Sequence, residues 1–156
     1  MKTTIITVAV IVLSMNAASA QKVKEAEVPK AVITSFQTHF KGAKADAWDK
    51  EKNGEFEAEF KMNKVEMSAN FSADGKLMET EEEIATATLP KTATDYVTKN
   101  YAGVKIEEAA KITDSTGKVT YEAEVKKGKE EIELLFDATG TFIKKVVETN
   151  DDTKKD

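Results

Sequence analysis

Residues 56–77 read FEAEFKMNKVEMSANFSADGKL, and residues 121–142 read YEAEVKKGKEEIELLFDATGTF. Set with Phe56 on Tyr121, an offset of 65, the two stretches share Glu57/Glu122, Ala58/Ala123, Glu59/Glu124, Lys61/Lys126 and Glu66/Glu131. Phe71/Phe136 and Gly75/Gly140 follow in the same register. A repeat of this length describes an architecture before it describes any chemistry. Within each copy the apolar residues fall at every second position. Phe56, Ala58, Phe60 and Met62 alternate with Glu57, Glu59 and Lys61, and Tyr121, Ala123 and Val125 alternate with Glu122, Glu124 and Lys126. That period predicts antiparallel strands with one face buried and the other wet. Asn53-Gly54 and Asp74-Gly75 supply hairpin turns in the first copy, and Thr139-Gly140 supplies one in the second.

Upstream of each hairpin the period changes to that of a helix. Val28-Pro29 opens the first, with Val32, Ile33, Phe36 and Phe40 on one face and Gly42 at its end. Leu89-Pro90 opens the second, with Ala93, Tyr96, Val97 and Tyr101 as the stripe and Gly103 as the stop. These landmarks lie 61 apart. The growth from 61 to 65 places four extra residues near Thr113 to Val119, where turn chemistry makes insertion cheap. Each copy therefore reads helix, strand, strand, strand, strand, an α+β arrangement of two tandem helix-plus-four-stranded antiparallel units. The expected boundaries are 28–84 and 89–148, flanked by a flexible leader at 21–27 and a disordered tail at 149–156.

The first twenty residues carry Lys2, an apolar run from Ile5 to Leu13 and the small-residue ending Ala18-Ser19-Ala20. This is the pattern of a signal peptide cleaved after Ala20, which implies a periplasmic or secreted protein. The apolar run is shorter than the roughly 20 residues that span a bilayer, so no membrane insertion is expected after cleavage. No cysteine is present, so stability must come from packing. The formal charge of −5, less the positive charge of Lys2, gives −6 for the processed chain. Both signs are interspersed, which argues against a nucleic-acid partner, since that needs a clustered basic surface.

Chemistry is sparse. His39, the one histidine, falls at a helix C-terminus, where a cation meets the dipole favourably, and no catalytic constellation accompanies it. Asn70, Ser72, Asp74, Gly75 and Glu81 match spacings of a calcium loop, but the flanks read as strands and a hairpin explains them more simply. The acidic run Glu79, Glu81, Glu82, Glu83 could attract divalent cations or a basic partner, but a run of like charge next to the connector between repeats reads first as a solvated segment. Trp48 falls out of phase with Ala43, Ala45 and Ala47. It either enters the core through a bulge or stands on the open face as an anchor.

The paired V/L-P-K openings, the aromatic-stopped helices and the [FY]-E-A-E-[FV]-K…F-x-A-x-G hairpins resemble the beta-lactamase-inhibitor-like, PepSY-like domains of exported Bacteroidetes proteins, from about residue 28 to 148. The resemblance implies a helix packed on a four-stranded antiparallel sheet, twice, which can join into one continuous curved sheet with both helices on one side. It further implies an exported, non-catalytic, inhibitor-like binding module that holds a protein or peptide partner of the cell envelope on the open sheet face. The candidate contact residues are Trp48, Glu57, Glu59, Lys61, Glu122, Glu124 and Lys126. No cofactor, metal or catalytic residue is implied. The competing reading is an acidic cation-binding or buffering protein of the envelope.

Overall fold

The computed structural model describes residues 21–149, the side chains of 148 and 149 excepted. The expected signal peptide and all but Thr149 of the expected tail lie outside the described residues. Two elements open the described chain where a flexible leader was expected: a short strand β1 (Gln21–Lys22) and a 3-10 turn (Glu25–Glu27). The elements that follow are α1 (Lys30–His39), β2 (Ala45–Lys50), β3 (Phe56–Met62), β4 (Val65–Phe71) and β5 (Leu77–Glu83). A second 3-10 turn (Thr86–Thr88) leads to α2 (Lys91–Asn100), β6 (Ile106–Asp114), β7 (Val119–Lys127), β8 (Glu130–Asp137) and β9 (Phe142–Thr149).

All nine strands form one antiparallel sheet in chain order. The two repeats join through β5 and β6, with Glu79 opposite Asp114, Glu81 opposite Ile112 and Glu83 opposite Ala110. The short strand β1 copies this joint. Gln21 and Lys22 pair with Lys50 and Asp49, which is the place that Glu82 takes against Lys111, 61 residues later. Val23 N donates to Trp48 O and Ile84 N to Ala109 O, each at 2.9 Å.

Register places both helices on one side of the sheet. Val32 and Phe36 of α1 bury against Phe56, Ala58, Phe60, Ala69 and Phe71. Ala93 and Val97 of α2 bury against Ala109, Ala123, Val125, Ile132, Leu134 and Phe136. Phe36 is the hub of the first core, with ring centroids 5.0 Å from Phe60 and 5.5 Å from Phe40. In the second unit Val97 takes its place, and the aromatic weight moves to Tyr96, stacked on Phe142 at 4.5 Å.

Trp48 belongs to this core. A bulge between Ala45 and Ala47 resets the strand phase, so the indole turns to the helix side and is 4% exposed. It is therefore no anchor on the open face. The same bulge recurs between Ile106 and Glu108, which puts Ala109 in the matching place.

Candidate functional site

The sheet face away from the helices was expected to be wet. It is wet only at its margins. Register puts Glu57, Glu59 and Lys61 of β3 on this face, opposite Asn70, Ser68 and Glu66 of β4. Glu79 and Glu81 of β5 continue it, then Asp114, Ile112 and Ala110 of β6. Glu122, Glu124 and Lys126 of β7 follow, opposite Leu135, Glu133 and Glu131 of β8. Lys144 of β9 stands across from Leu135.

In the middle of this face Glu57, Glu81, Glu122 and Glu133 are buried, together with Ser68 and Asn70. Curvature is the cause. Burial, and then Asp114 and Glu55, raise the carboxyl of Glu79 on β5, and Lys144 of β9 opposes that rise, although four strand spacings, roughly 19 Å in a flat sheet, would separate Lys144 from it. Charges at that distance are screened in water. With four carboxyls buried on a face that neither described helix covers, this describes a concave face that draws strands of the two repeats toward each other. Glu81 likewise feels Glu133, three strands away.

Burial changes the carboxyls in the trough. It pushes Glu57 up to about 9, with Glu59, Glu81 and Glu51 adding to the rise, while the Ser68 hydroxyl opposes it. The Ser68 oxygen faces Glu57 without completing a well-formed hydrogen bond. Burial pushes Glu81 up to about 8, with Glu79 and Glu133 contributing. Glu122 is raised well above the ordinary range by burial and then by Glu81, Glu133 and Glu124. A neutral acid is the cheaper species there, because taking an isolated carboxylate out of water costs more than protonating it.

The margins are different. Glu59 and Glu124 are half-buried, and Lys61 and Lys126 are exposed. Lys61 Nζ donates to Glu66 at 2.5 Å and Lys126 Nζ to Glu131 at 2.9 Å. The repeated lysines are thus accounted for by repeated cross-strand ion pairs, which makes their recurrence architectural. Of the candidate contact residues, Glu59, Lys61, Glu124 and Lys126 lie where a partner can reach them. Glu57 and Glu122 share the face but sit on its floor, and Trp48 lies on the other side of the sheet.

Sequence reasoning passed over Glu108 and set Glu79 and Glu81 aside as solvated. The acidic run read as solvated forms the central strand β5, with Glu81 buried and Glu82 turned to the helix side opposite Lys111. Its phase against Ser68 and Asn70 was the available signal. His39 is exposed at the end of α1, its Nδ1 2.9 Å from Ser35 O. Among the described residues no group of three or more His, Cys, Asp or Glu side chains stands close enough together to hold a metal ion. The Ser72 hydroxyl bonds Asp74 within the β4–β5 turn. No described helix is long and apolar enough to cross a membrane.

Two helix-on-sheet units fused through one antiparallel sheet, with an acidic concave face opposite the helices, define a repeat-built domain of the PepSY-like type. The chain matches the family model described as "Putative beta-lactamase-inhibitor-like, PepSY-like" over residues 15–78 and 54–144, and it belongs to that family. Among solved structures it is similar to a "putative periplasmic" protein of Bacteroides eggerthii, with a TM-score of 0.70 and 15% identity over 79% of this chain and 91% of that one. It is also similar to a BLIP-like protein of Bacteroides fragilis, with a TM-score of 0.61 and 18% identity over 81% of this chain and 92% of that one. At such identities the likeness is one of fold. No curated protein matches the chain.

Proposed function

We propose that the protein is an exported, non-catalytic binding module that docks a protein or peptide of the cell envelope on its concave sheet face, in the manner of an inhibitor. The observation that carries this reading is the acidic trough itself. Both helices cover one side of the sheet, while the other curves inward with half-exposed charges along its margins. Concave faces are where binding area concentrates, and charged margins set orientation and encounter rate. The fold shared with a BLIP-like protein supports the inhibitor-like sense, and the periplasmic description of another relative supports the compartment.

Affinity capture from the envelope fraction tests it, with the wild-type chain beside a margin variant carrying Glu59→Lys, Glu124→Lys, Lys61→Glu and Lys126→Glu. These four side chains are accessible, so the variant is expected to fold. A partner retained by the wild type and lost from the variant is the expected result. Equal recovery by both, or recovery by neither, would exclude docking on this face.

A further inference from the structure

Three carboxyls on the floor of the trough carry a surplus that the fold does not use. Glu57, Glu81 and Glu122 are each more than nine-tenths buried, and one oxygen of each finds no hydrogen-bond partner. The buried Asn70 Oδ1, between Glu57 and Glu79 in register, is orphaned too. These unmet atoms are acceptors whenever the carboxyls are ionised. Buried acceptors without donors are uncommon in folded proteins, and a group of them is suited to a ligand rich in N–H.

The approach to the floor has the matching sign. Two residues beyond each floor carboxyl, on the same face, comes a more exposed one: Glu59 after Glu57, Glu83 after Glu81, Glu124 after Glu122. Two residues along a strand span about 6.8 Å. β3, β5 and β7 run in the same direction, and the register sets Glu59 level with Glu81 across Ser68 and Glu83 level with Glu122 across Ala110, so the outer groups step diagonally alongside the floor. Glu108 of β6 stands opposite Glu124 there. Burial first, and then the carboxylates of Glu124, Glu83 and Glu66, push Glu108 up to about 7. Of the lysines facing the trough, Lys61 and Lys126 are engaged with Glu66 and Glu131, while Lys22 of β1 bears on Glu59 and Lys144 of β9 on Glu79.

We infer that the concave face takes a cationic segment of its partner, an arginine or lysine side chain reaching from the Glu59–Glu83–Glu124 margin to the Glu57–Glu81–Glu122 floor. This rests on the docking reading above and adds the partner's chemistry to it. A guanidinium suits the floor better than a metal ion does. Its forked donors can serve several separated acceptors, whereas these carboxyls do not converge on one point. The incoming cation replaces the protons that keep the free floor neutral, so docking releases protons.

Calorimetric titration near neutral pH tests this, with an oligoarginine peptide and, separately, calcium chloride, in two buffers of different ionisation enthalpy. The peptide is expected to saturate, with a heat that depends on the buffer as proton release requires. Glu81→Gln and Glu122→Gln keep shape without the charge and are expected to weaken it at least about tenfold. Glu25→Gln, away from the sheet face, binds like the wild type. Buffer-independent heat, or wild-type affinity in both floor variants, overturns the inference. So does saturation by calcium with the peptide silent, which would assign the face to a metal ion. Should a floor variant misfold, Glu59→Gln with Glu124→Gln must weaken the peptide instead. An envelope partner lost from the margin variant yet indifferent to the floor variants would sink this inference alone. Peptide binding without any face-dependent envelope partner would sink only the docking reading.

Discussion

The indole of Trp48 stands edge-on to the ring of Phe36, centroids 5.6 Å apart at an interplanar angle of 70°. That contact bridges sheet and helix in the first unit. Such pairs add to the area they bury, and an indole removed from a close-packed core leaves a void that neighbours fill only in part. Trp48→Ala is therefore expected to cost about 3–5 kcal/mol, read as a lower denaturant midpoint at unchanged slope. Trp48→Phe keeps the edge contact and removes an indole N–H that has no partner, so it should cost much less. Equal losses in the two variants would mean that the packing described for this core is wrong.

The same residue reports on the joint between the units. Trp48 is the single tryptophan and lies in the first core, whereas far-ultraviolet circular dichroism reads both units. The joint is a full strand pair, from Glu79 opposite Asp114 to Glu83 opposite Ala110, extended by Ser115 N donating to Met78 O at 2.7 Å. A continuous sheet of this size should unfold as one body. Fluorescence and dichroism are expected to give coincident transitions in denaturant. Two separated midpoints would show units that are hinged and independently stable.

Much of this architecture was legible in the sequence because it rests on local periods. The alternation Phe56, Ala58, Phe60 and the stripe Val32, Phe36, Phe40 each need only a few consecutive residues to show a buried face. What was not legible depends on strands distant in sequence. Nothing in the alternation around Glu57 or Glu122 reveals that their face curves, since the curl relates β5 to β8 and β9, strands far apart in the chain. Trp48 resisted a phase argument because a bulge belongs to a pair of strands. Residues 21–22 looked like leader because a two-residue strand has no period, although Val23 and Ile84, 61 apart and each six residues before a proline, pointed to the repeated pairing.

Gly75 and Gly140 separate a steric requirement from a conformational one. Both turns press on the start of a helix, and a Cβ on Gly75 would lie 2.6 Å from Ala31 O. At Gly140 it would lie 2.8 Å from Pro90 Cβ and 2.9 Å from Ala93 N. Gly54 has a similar positive φ of +87° with nothing within 4 Å. Gly54→Ala should then cost about 1–2 kcal/mol for the left-handed backbone alone. Gly75→Ala and Gly140→Ala should each cost visibly more, since helix backbone must also move. Thermal denaturation of the three variants side by side checks the order, and a Gly54 loss equal to the others would remove the case for close approach.

The trough makes stability depend on pH in an uncommon direction. Unfolded, Glu57 and Glu81 release their protons near the ordinary 4.5, while folded they hold them to about 9 and about 8. Glu122 is shifted the same way. Between those limits the folded chain binds more protons than the unfolded chain, so stability falls as pH rises. The contribution is complete below the unfolded value and is lost as pH passes through the folded ones. Asp74, Asp114 and Asp137 act in the opposite sense. Hydroxyls of Ser72, Thr116 and Thr139 hold them below the ordinary 3.8, so their contribution fades only in stronger acid. An optimum at about pH 4–5 follows, with the denaturant midpoint rising as pH is lowered from about 8 to about 5. One such floor carboxyl alone implies a slope of about 1.4 kcal/mol per pH unit. Glu81→Gln cannot charge, so it should flatten the profile and stabilise the protein at about pH 8. A profile that is flat in the wild type, or that rises toward alkaline pH, would show that the floor carboxyls are solvated and charged after all.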